Sequence, residues 1–145
     1  MKLVIKEYWE NLKVEYEATY NASIFSDYDV LKQYAERFRT YLITLMCEYS
    51  NDVDVACTLA TVEQVLRHEE NSIQLLEEFL RKYIEELSDT DKARVYTNLA
   101  FYYNDEGNIK EYDYLSAAVK LNSPYIETYR GLALYHFSVY REKGS

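Results

Sequence analysis

Apolar residues recur at intervals of three and four positions along most of the chain. One such series is Leu31, Tyr34, Ala35, Phe38, Leu42, Leu45 and Tyr49. A second is Leu76, Phe79, Leu80, Tyr83, Ile84 and Leu87. Because an α-helix turns once in about 3.6 residues, this spacing puts the apolar side chains on one helical face. The 17 tyrosines favour strands slightly, but the spacing is helical, so the pattern predicts amphipathic helices.

Cap and turn residues divide the pattern into seven predicted helices. We expect them to span about residues 3–21, 26–49, 51–68, 71–87, 88–106, 109–121 and 124–141. N-caps are expected at Asp52 and within Ser88–Asp91, and Asn71 with Gln74 three residues later resembles a capping box. The short connections are typical of antiparallel neighbours. The sequence therefore predicts one all-α domain of stacked helical hairpins over residues 1–143.

Two segments repeat the same pattern, an aromatic residue followed by leucine three positions later and alanine four positions later. They are Tyr96, Leu99 and Ala100 and, 33 positions further on, Tyr129, Leu132 and Ala133. A small residue allows two helices to approach closely, whereas a larger side chain would push them apart. The pattern therefore predicts that Ala100 and Ala133 face neighbouring helices.

Two pairs of turn residues, Gly107–Asn108 and Ser123–Pro124, lie between the two segments. Gly107 is suited to the left-handed position that ends a helix, and Asn108 can begin the next one. Ser123 and Pro124 suit the N-cap and first turn of the helix that follows. Together with the two segments, this order resembles the tetratricopeptide repeat, a helical hairpin with a period of about 34 residues. Tyr112 stands where that family usually has alanine, which implies shifted packing of the second helix.

The resemblance implies a stack of hairpins whose first helices line a groove for a protein or peptide ligand. The positions that would contact the ligand are Arg94, Asn98, Phe101, Tyr102 and Arg130. Arg94 and Asn98 are four positions apart and share a helix face. Their equivalents in the next repeat are Glu127 and Gly131, which are not suited to binding the terminal carboxylate of a peptide. An ordinary helical bundle that matches the repeat by chance is the other interpretation.

The charge of the chain limits the choice of partners. A formal charge of −9 and an isoelectric point near 4.7 argue against nucleic acid and against an anionic membrane. Seven acidic residues in the middle of the chain lie mostly off the apolar stripes, which indicates a solvated outer face; a surface for a basic partner is the alternative. They are Glu63, Glu69, Glu70, Glu77, Glu78, Glu85 and Glu86.

The cysteines and the apolar runs bear on location. Cys47 and Cys57 fall in different predicted helices, without the spacing of metal ligands, so we expect two thiols in a reducing cytosol. No run approaches the roughly 18 apolar residues that a membrane helix needs. These features predict a cytoplasmic protein.

Residues with catalytic chemistry are few. The two histidines have no neighbouring nucleophile pattern, and neither a phosphate-binding glycine loop nor a metal-ligand cluster is present in the sequence. Arg130 and His136 resemble the Arg and His of HEPN-type helical ribonucleases, where the His is the general acid or base and the Arg binds phosphate. Six positions separate them, so on an ideal helix they diverge by about 120°.

We therefore expect a non-enzymatic module that binds a protein or peptide and needs neither a cofactor nor a metal. A helical ribonuclease is one alternative. Another is the peptide-sensing fragment of a larger regulator. The sequence leaves the oligomeric state open.

Overall fold

The computed structural model describes residues 1–104 and 108–144 of the chain. These residues form seven α-helices and a short 3-10 turn, and within them there is no strand. The helices are α1 (Lys2–Tyr20), α2 (Tyr28–Glu48), α3 (Val53–Val65), α4 (Glu69–Tyr83, followed by the 3-10 turn Ile84–Glu86), α5 (Asp89–Tyr102), α6 (Ile109–Lys120) and α7 (Ile126–Gly144). The predicted all-α fold with seven helices is confirmed.

Polar side chains cap four of the helices, and the sequence predicts three of these caps, those at Asp52, Ser88 and Asn108. The Asp52 carboxylate accepts the Val55 N–H at 3.1 Å, and the Ser88 hydroxyl accepts the Asp91 N–H at 3.1 Å. Asp27 and Asn108 cap α2 and α6 in the same way. Each cap satisfies a backbone donor that has no partner within the helix.

Three helix ends use left-handed residues other than glycine. These are Asn21, Arg67 and Asn122, with φ of 49°, 62° and 55°. At the end of α6 the Asn122 N–H donates to the carbonyl of Val119 and the Ser123 N–H to that of Ala118, at 2.9 and 3.1 Å. This is a Schellman motif with asparagine in place of glycine. The predicted left-handed Gly107 lies outside the described residues.

Two predicted helix starts are wrong. Helix α4 begins at Glu69, two residues before Asn71, because the backbone turns at left-handed Arg67. Helix α7 begins at Ile126, two residues after Pro124. The Ser123 hydroxyl accepts the N–H of Tyr125 at 3.2 Å, so Ser123 stabilises the turn before α7 and does not cap the helix.

The chain divides into two compact units, Met1–Leu75 (unit 1) and Leu76–Ser145 (unit 2). The division falls within α4. Each unit has its own buried apolar residues and is described by itself below. The prediction of one domain over residues 1–143 stays a prediction.

In unit 1 the apolar stripes of α1, α2 and α3 form the core. Ring stacking adds to the α1–α2 contact. The rings of Tyr8 and Tyr41 lie parallel with centroids 3.8 Å apart, and those of Trp9 and Phe38 stack at 5.2 Å. Stacked aromatic pairs contribute about 0.5–1.5 kcal/mol beyond the area they bury. The predicted α2 stripe is largely confirmed, since five of its members are buried. They are Tyr34, Ala35, Phe38, Leu42 and Leu45.

Unit 1 also buries a carboxylate that the sequence placed on the solvated face. Glu63 is only 3% exposed. It forms an ion pair with Arg39, and its second oxygen accepts the Asn71 amide at 2.9 Å. The Nδ1 atom of His68 lies 3.5 Å from the same oxygen. Glu63 is therefore a structural link between α2, α3 and the start of α4, because a buried carboxylate must be paired and hydrogen-bonded.

In unit 2 helix α6 packs against α5 and α7, and α5 also contacts α7. Leu99 and Ala100 of α5 are 0% and 1% exposed, so the predicted packing role of Ala100 is confirmed. The equivalent prediction for α7 is wrong, because Ala133 is exposed and Tyr129 is 46% exposed. Helix α7 presents a different face to its neighbours, which includes Thr128 and Gly131.

We predict that Ala100→Trp destabilises the fold by about 1–3 kcal/mol, because the buried site has no room for the indole. Denaturant unfolding followed by circular dichroism measures the change. Ala18→Trp is the matched control, since Ala18 is exposed on α1 and a surface substitution usually costs less than about 0.5 kcal/mol. Equal effects of the two variants would contradict the buried α5 contact.

Candidate functional site

Helix α5 carries four of the five residues that the repeat resemblance assigns to ligand contact. Arg94, Asn98 and Phe101 follow one another at intervals of four and three, so they lie within about 60° of one another around the helix. Arg94 and Asn98 are half-buried, and Phe101 is 44% exposed. Tyr102 is half-buried beside them. We name Arg94, Asn98 and Phe101 the α5 stripe.

The opposite face of α5 is held by aromatic contacts with α6. Tyr96 and Tyr103 both stack on Tyr114, each with a ring-centroid distance of 5.9 Å. On an ideal helix Tyr96 points about 160° away from Arg94. The α5 stripe therefore lies on the face of α5 that points away from α6. This is the face on which the repeat resemblance predicts a groove.

Glu77 anchors the two tyrosines of this contact. The Tyr103 hydroxyl donates to its Oε1 atom at 2.9 Å, and the Tyr114 hydroxyl donates to its Oε2 atom at 2.5 Å. Burial, with the bond to Glu77 as the second cause, raises the pKa of both phenols above its ordinary value. Sequence reasoning placed Glu77 on a solvated face and missed this role, because its partners are 26 and 37 positions away.

A chain of buried hydroxyls joins α5 to α7. The Thr97 hydroxyl donates to the carbonyl of Ala93 at 2.8 Å. Its oxygen lies 2.7 Å from that of Thr128, which lies 2.7 Å from that of Ser123. Each hydroxyl has one proton, and that of Thr97 is already used. The order of donation is therefore Ser123 to Thr128 to Thr97.

Sequence reasoning also missed this hydroxyl chain. A threonine inside a helix commonly bonds to the carbonyl four residues earlier, and such a residue carries no signal for a contact with another helix. Thr128 is 0% exposed and Thr97 is 3% exposed. The chain fixes the first turn of α7 against α5, and with it the position of the predicted contact residue Arg130.

Arg130 and His136 both lie on α7 and are exposed. The His136 imidazole packs edge-on against Tyr112 and Tyr135, with ring centroids 5.7 and 5.9 Å away. The five predicted contact residues thus fall into two groups, four on α5 and Arg130 on α7. Among the described residues there is no cluster of His, Cys, Asp and Glu placed to hold a metal ion.

The comparisons with known proteins give no match. No protein-family model matches the chain, and no curated protein or solved structure is significantly similar to it. The resemblance to tetratricopeptide repeats therefore rests on the residues quoted above and stays a prediction. A search of the described residues for a helix long and apolar enough to cross a membrane found none.

We predict that Thr128→Val destabilises unit 2 by about 1–3 kcal/mol, because the nearly isosteric change leaves the Ser123 donor without its buried acceptor. Thermal and denaturant unfolding measure the loss. Thr40→Val is the matched control, since Thr40 is an exposed helical threonine that bonds to a carbonyl four residues earlier. If Thr128→Val is as stable as the parent, the hydroxyl chain does not connect α5 and α7.

Proposed function

We propose that the protein is a non-enzymatic interaction module of the tetratricopeptide type that binds a peptide or protein segment through unit 2. The observation that carries the proposal is the α5 stripe. It combines a guanidinium, an amide and an exposed aromatic ring on one helix face. A binding site for a peptide needs this mixture, since apolar contact gives affinity and a few polar groups fix orientation.

The arrangement of α5, α6 and α7 supports the proposal. Helices α5 and α7 both pack on α6 and contact each other through Thr97 and Thr128. In a hairpin stack the first helices of successive hairpins are neighbours in this way. Residues of α5 and the start of α7 can then contact one extended ligand. Arg130 points about 160° away from Thr128 on an ideal helix, so its place in the proposed site rests on the repeat resemblance alone.

The α5 stripe also indicates what kind of segment it would bind. Arg94 and Asn98 supply donors for carbonyl or carboxylate oxygens, and only Asn98 adds an acceptor. Phe101 offers a ring to an apolar side chain of the ligand, at a low cost in conformational entropy. We infer a ligand that has at least one apolar side chain to contact Phe101. It also has hydrogen-bond acceptors, on its backbone or side chains, about one helical turn along α5 from that apolar side chain, where Asn98 and Arg94 lie.

The proposed location is the cytoplasm. Cys47 is exposed and Cys57 is buried, and the structure joins neither to a disulfide. An exposed thiol is compatible with a reducing compartment. The formal charge of −9 supports a protein or peptide partner over nucleic acid.

We predict that Asn98→Ala and Arg130→Ala each weaken binding of the partner at least several-fold and leave the melting temperature nearly unchanged. Each change removes a polar contact at the ligand surface, and a lost hydrogen bond costs about 0.5–1.5 kcal/mol. Affinity capture from a cell lysate identifies the partner, and calorimetric titration with the purified partner then measures each variant.

Matched controls come from residues of the same types outside the proposed site. Asn11→Ala on α1 and Arg81→Ala on α4 change exposed residues and should bind as the parent does. If Asn98→Ala and Arg130→Ala also bind as the parent does, the ligand does not occupy the α5 stripe. RNA cleavage by the purified chain that is lost in His136→Ala would contradict the non-enzymatic assignment.

A further inference from the structure

Helix α7 exposes a continuous apolar stripe. Its members follow the helical repeat over four turns, and we name them the α7 stripe. They are Ile126, Tyr129, Ala133, Phe137 and Tyr140. The four large residues are 64%, 46%, 61% and 76% exposed in that order, and Leu134 on one border is 58% exposed. Exposed large apolar side chains are common singly, but a continuous row of them marks an interaction surface.

The opposite face of the same helix is already packed. Thr128 is bonded to Thr97, Gly131 lies against Leu115, and the Tyr135 ring contacts that of Tyr112 at 5.3 Å. On an ideal helix these positions point about 140–180° away from Ile126. Helix α7 is therefore apolar on two opposite faces, and the fold covers one of them. A helix with this composition is normally covered on both.

The α7 stripe is symmetric about its centre. Ile126 and Tyr140 stand seven positions before and after Ala133, and Tyr129 and Phe137 stand four positions before and after it. When two such helices pack antiparallel with Ala133 on a two-fold axis, each large side chain lies opposite another large one. The small central residue lets the helix axes approach to about 8 Å. A two-fold interface needs a surface that is complementary to itself, and this stripe satisfies that condition.

Charges on one border of the stripe add a second, independent match. Glu127 and Arg141 lie on the same side of the stripe as Leu134, at its two ends. In the antiparallel pair Glu127 of one copy comes beside Arg141 of the other, and this happens twice. In a parallel two-fold pair the same border of the two copies lies on opposite sides of the contact, so Glu127 and Arg141 would form no such pair. The charges therefore favour a second copy of the chain in the antiparallel orientation.

We propose that the α7 stripe is the interface of an antiparallel two-fold homodimer. The contact runs along about 21 Å of helix, the length of 14 residues. A contact made by one helix of each copy buries an area at the small end of specific protein interfaces. We therefore expect a weak dimer that dissociates in the micromolar range. It is distinct from the α5 stripe, although Arg130 borders it.

Sedimentation velocity over a concentration series tests the dimer. The parent chain should shift from the 17.3 kDa monomer to twice that mass as its concentration rises. Phe137→Glu should raise the dissociation constant at least tenfold, because it puts a carboxylate into the apolar contact. Phe25→Glu is the matched control, since Phe25 is 65% exposed and Phe137 is 61% exposed. This control should dimerise as the parent does.

A charge exchange tests the antiparallel orientation. Glu127→Arg and Arg141→Glu should each weaken the dimer, because each single change brings like charges together. The double variant restores both pairs with reversed signs and keeps the net charge of the parent, so it should recover the affinity. The two border residues are exposed in the monomer, so the exchange removes no buried contact.

Three outcomes overturn the proposal. A parent chain that stays monomeric up to about 200 µM has no such dimer, since that exceeds the expected micromolar range. A dimer that Phe137→Glu does not weaken uses another surface, and a double variant that stays weak excludes the antiparallel orientation. If the parent is monomeric and Phe137→Glu instead abolishes capture of a different protein, that partner covers the stripe. Asn98→Ala separates this proposal from the proposed function. Asn98 lies on α5, so this variant should dimerise as the parent does, whether or not the α5 stripe binds a ligand.

Discussion

The buried hydroxyl chain from Ser123 through Thr128 to Thr97 sets the rotation of α7, and the exposure of the α7 stripe and the direction of Arg130 depend on that rotation. Gly131 reinforces it, because a Cβ atom there would come within 3.2 Å of Leu115. With Thr128 and Gly131 turned inward, Ile126 and Phe137 must point to solvent. Rotating α7 by half a turn would bury its outer apolar face, but it would turn Thr128 towards solvent and leave the buried Ser123 hydroxyl without the acceptor it now has.

The scarcity of glycine and proline determines which residues end the helices of this fold. A chain with three Gly and one Pro has to end its helices with other residues, and Asn21, Arg67 and Asn122 do so in the left-handed conformation. A left-handed non-glycine residue costs roughly 1–2 kcal/mol. At Arg67 the turn brings α4 close to buried Glu63, whose ion pair and amide contact offset part of that cost.

The local features of the fold could be predicted from the sequence, and most of the non-local ones could not. Apolar spacing and cap residues predicted all seven helices, because both depend on residues within a few positions. The burial of Glu63 and the roles of Glu77, Thr97 and Thr128 depend on partners in other helices. Ala133 shows the limit most clearly. It repeats the local pattern of Ala100, but α7 has a different rotation, so the same pattern faces solvent. The residues of the α5 stripe were found from the repeat resemblance, and their ligand role is a proposal.

The central claim is that the exposed apolar surface of α7 is covered by a second molecule in solution. Hydrogen–deuterium exchange of the intact chain, followed by mass spectrometry at low and high protein concentration, tests it directly. The account predicts that exchange slows with concentration in peptides covering Ile126–Gly144 and stays constant in those covering α1, since helix burial at an interface suppresses local opening. Exchange in α7 that is the same at both concentrations would contradict the claim.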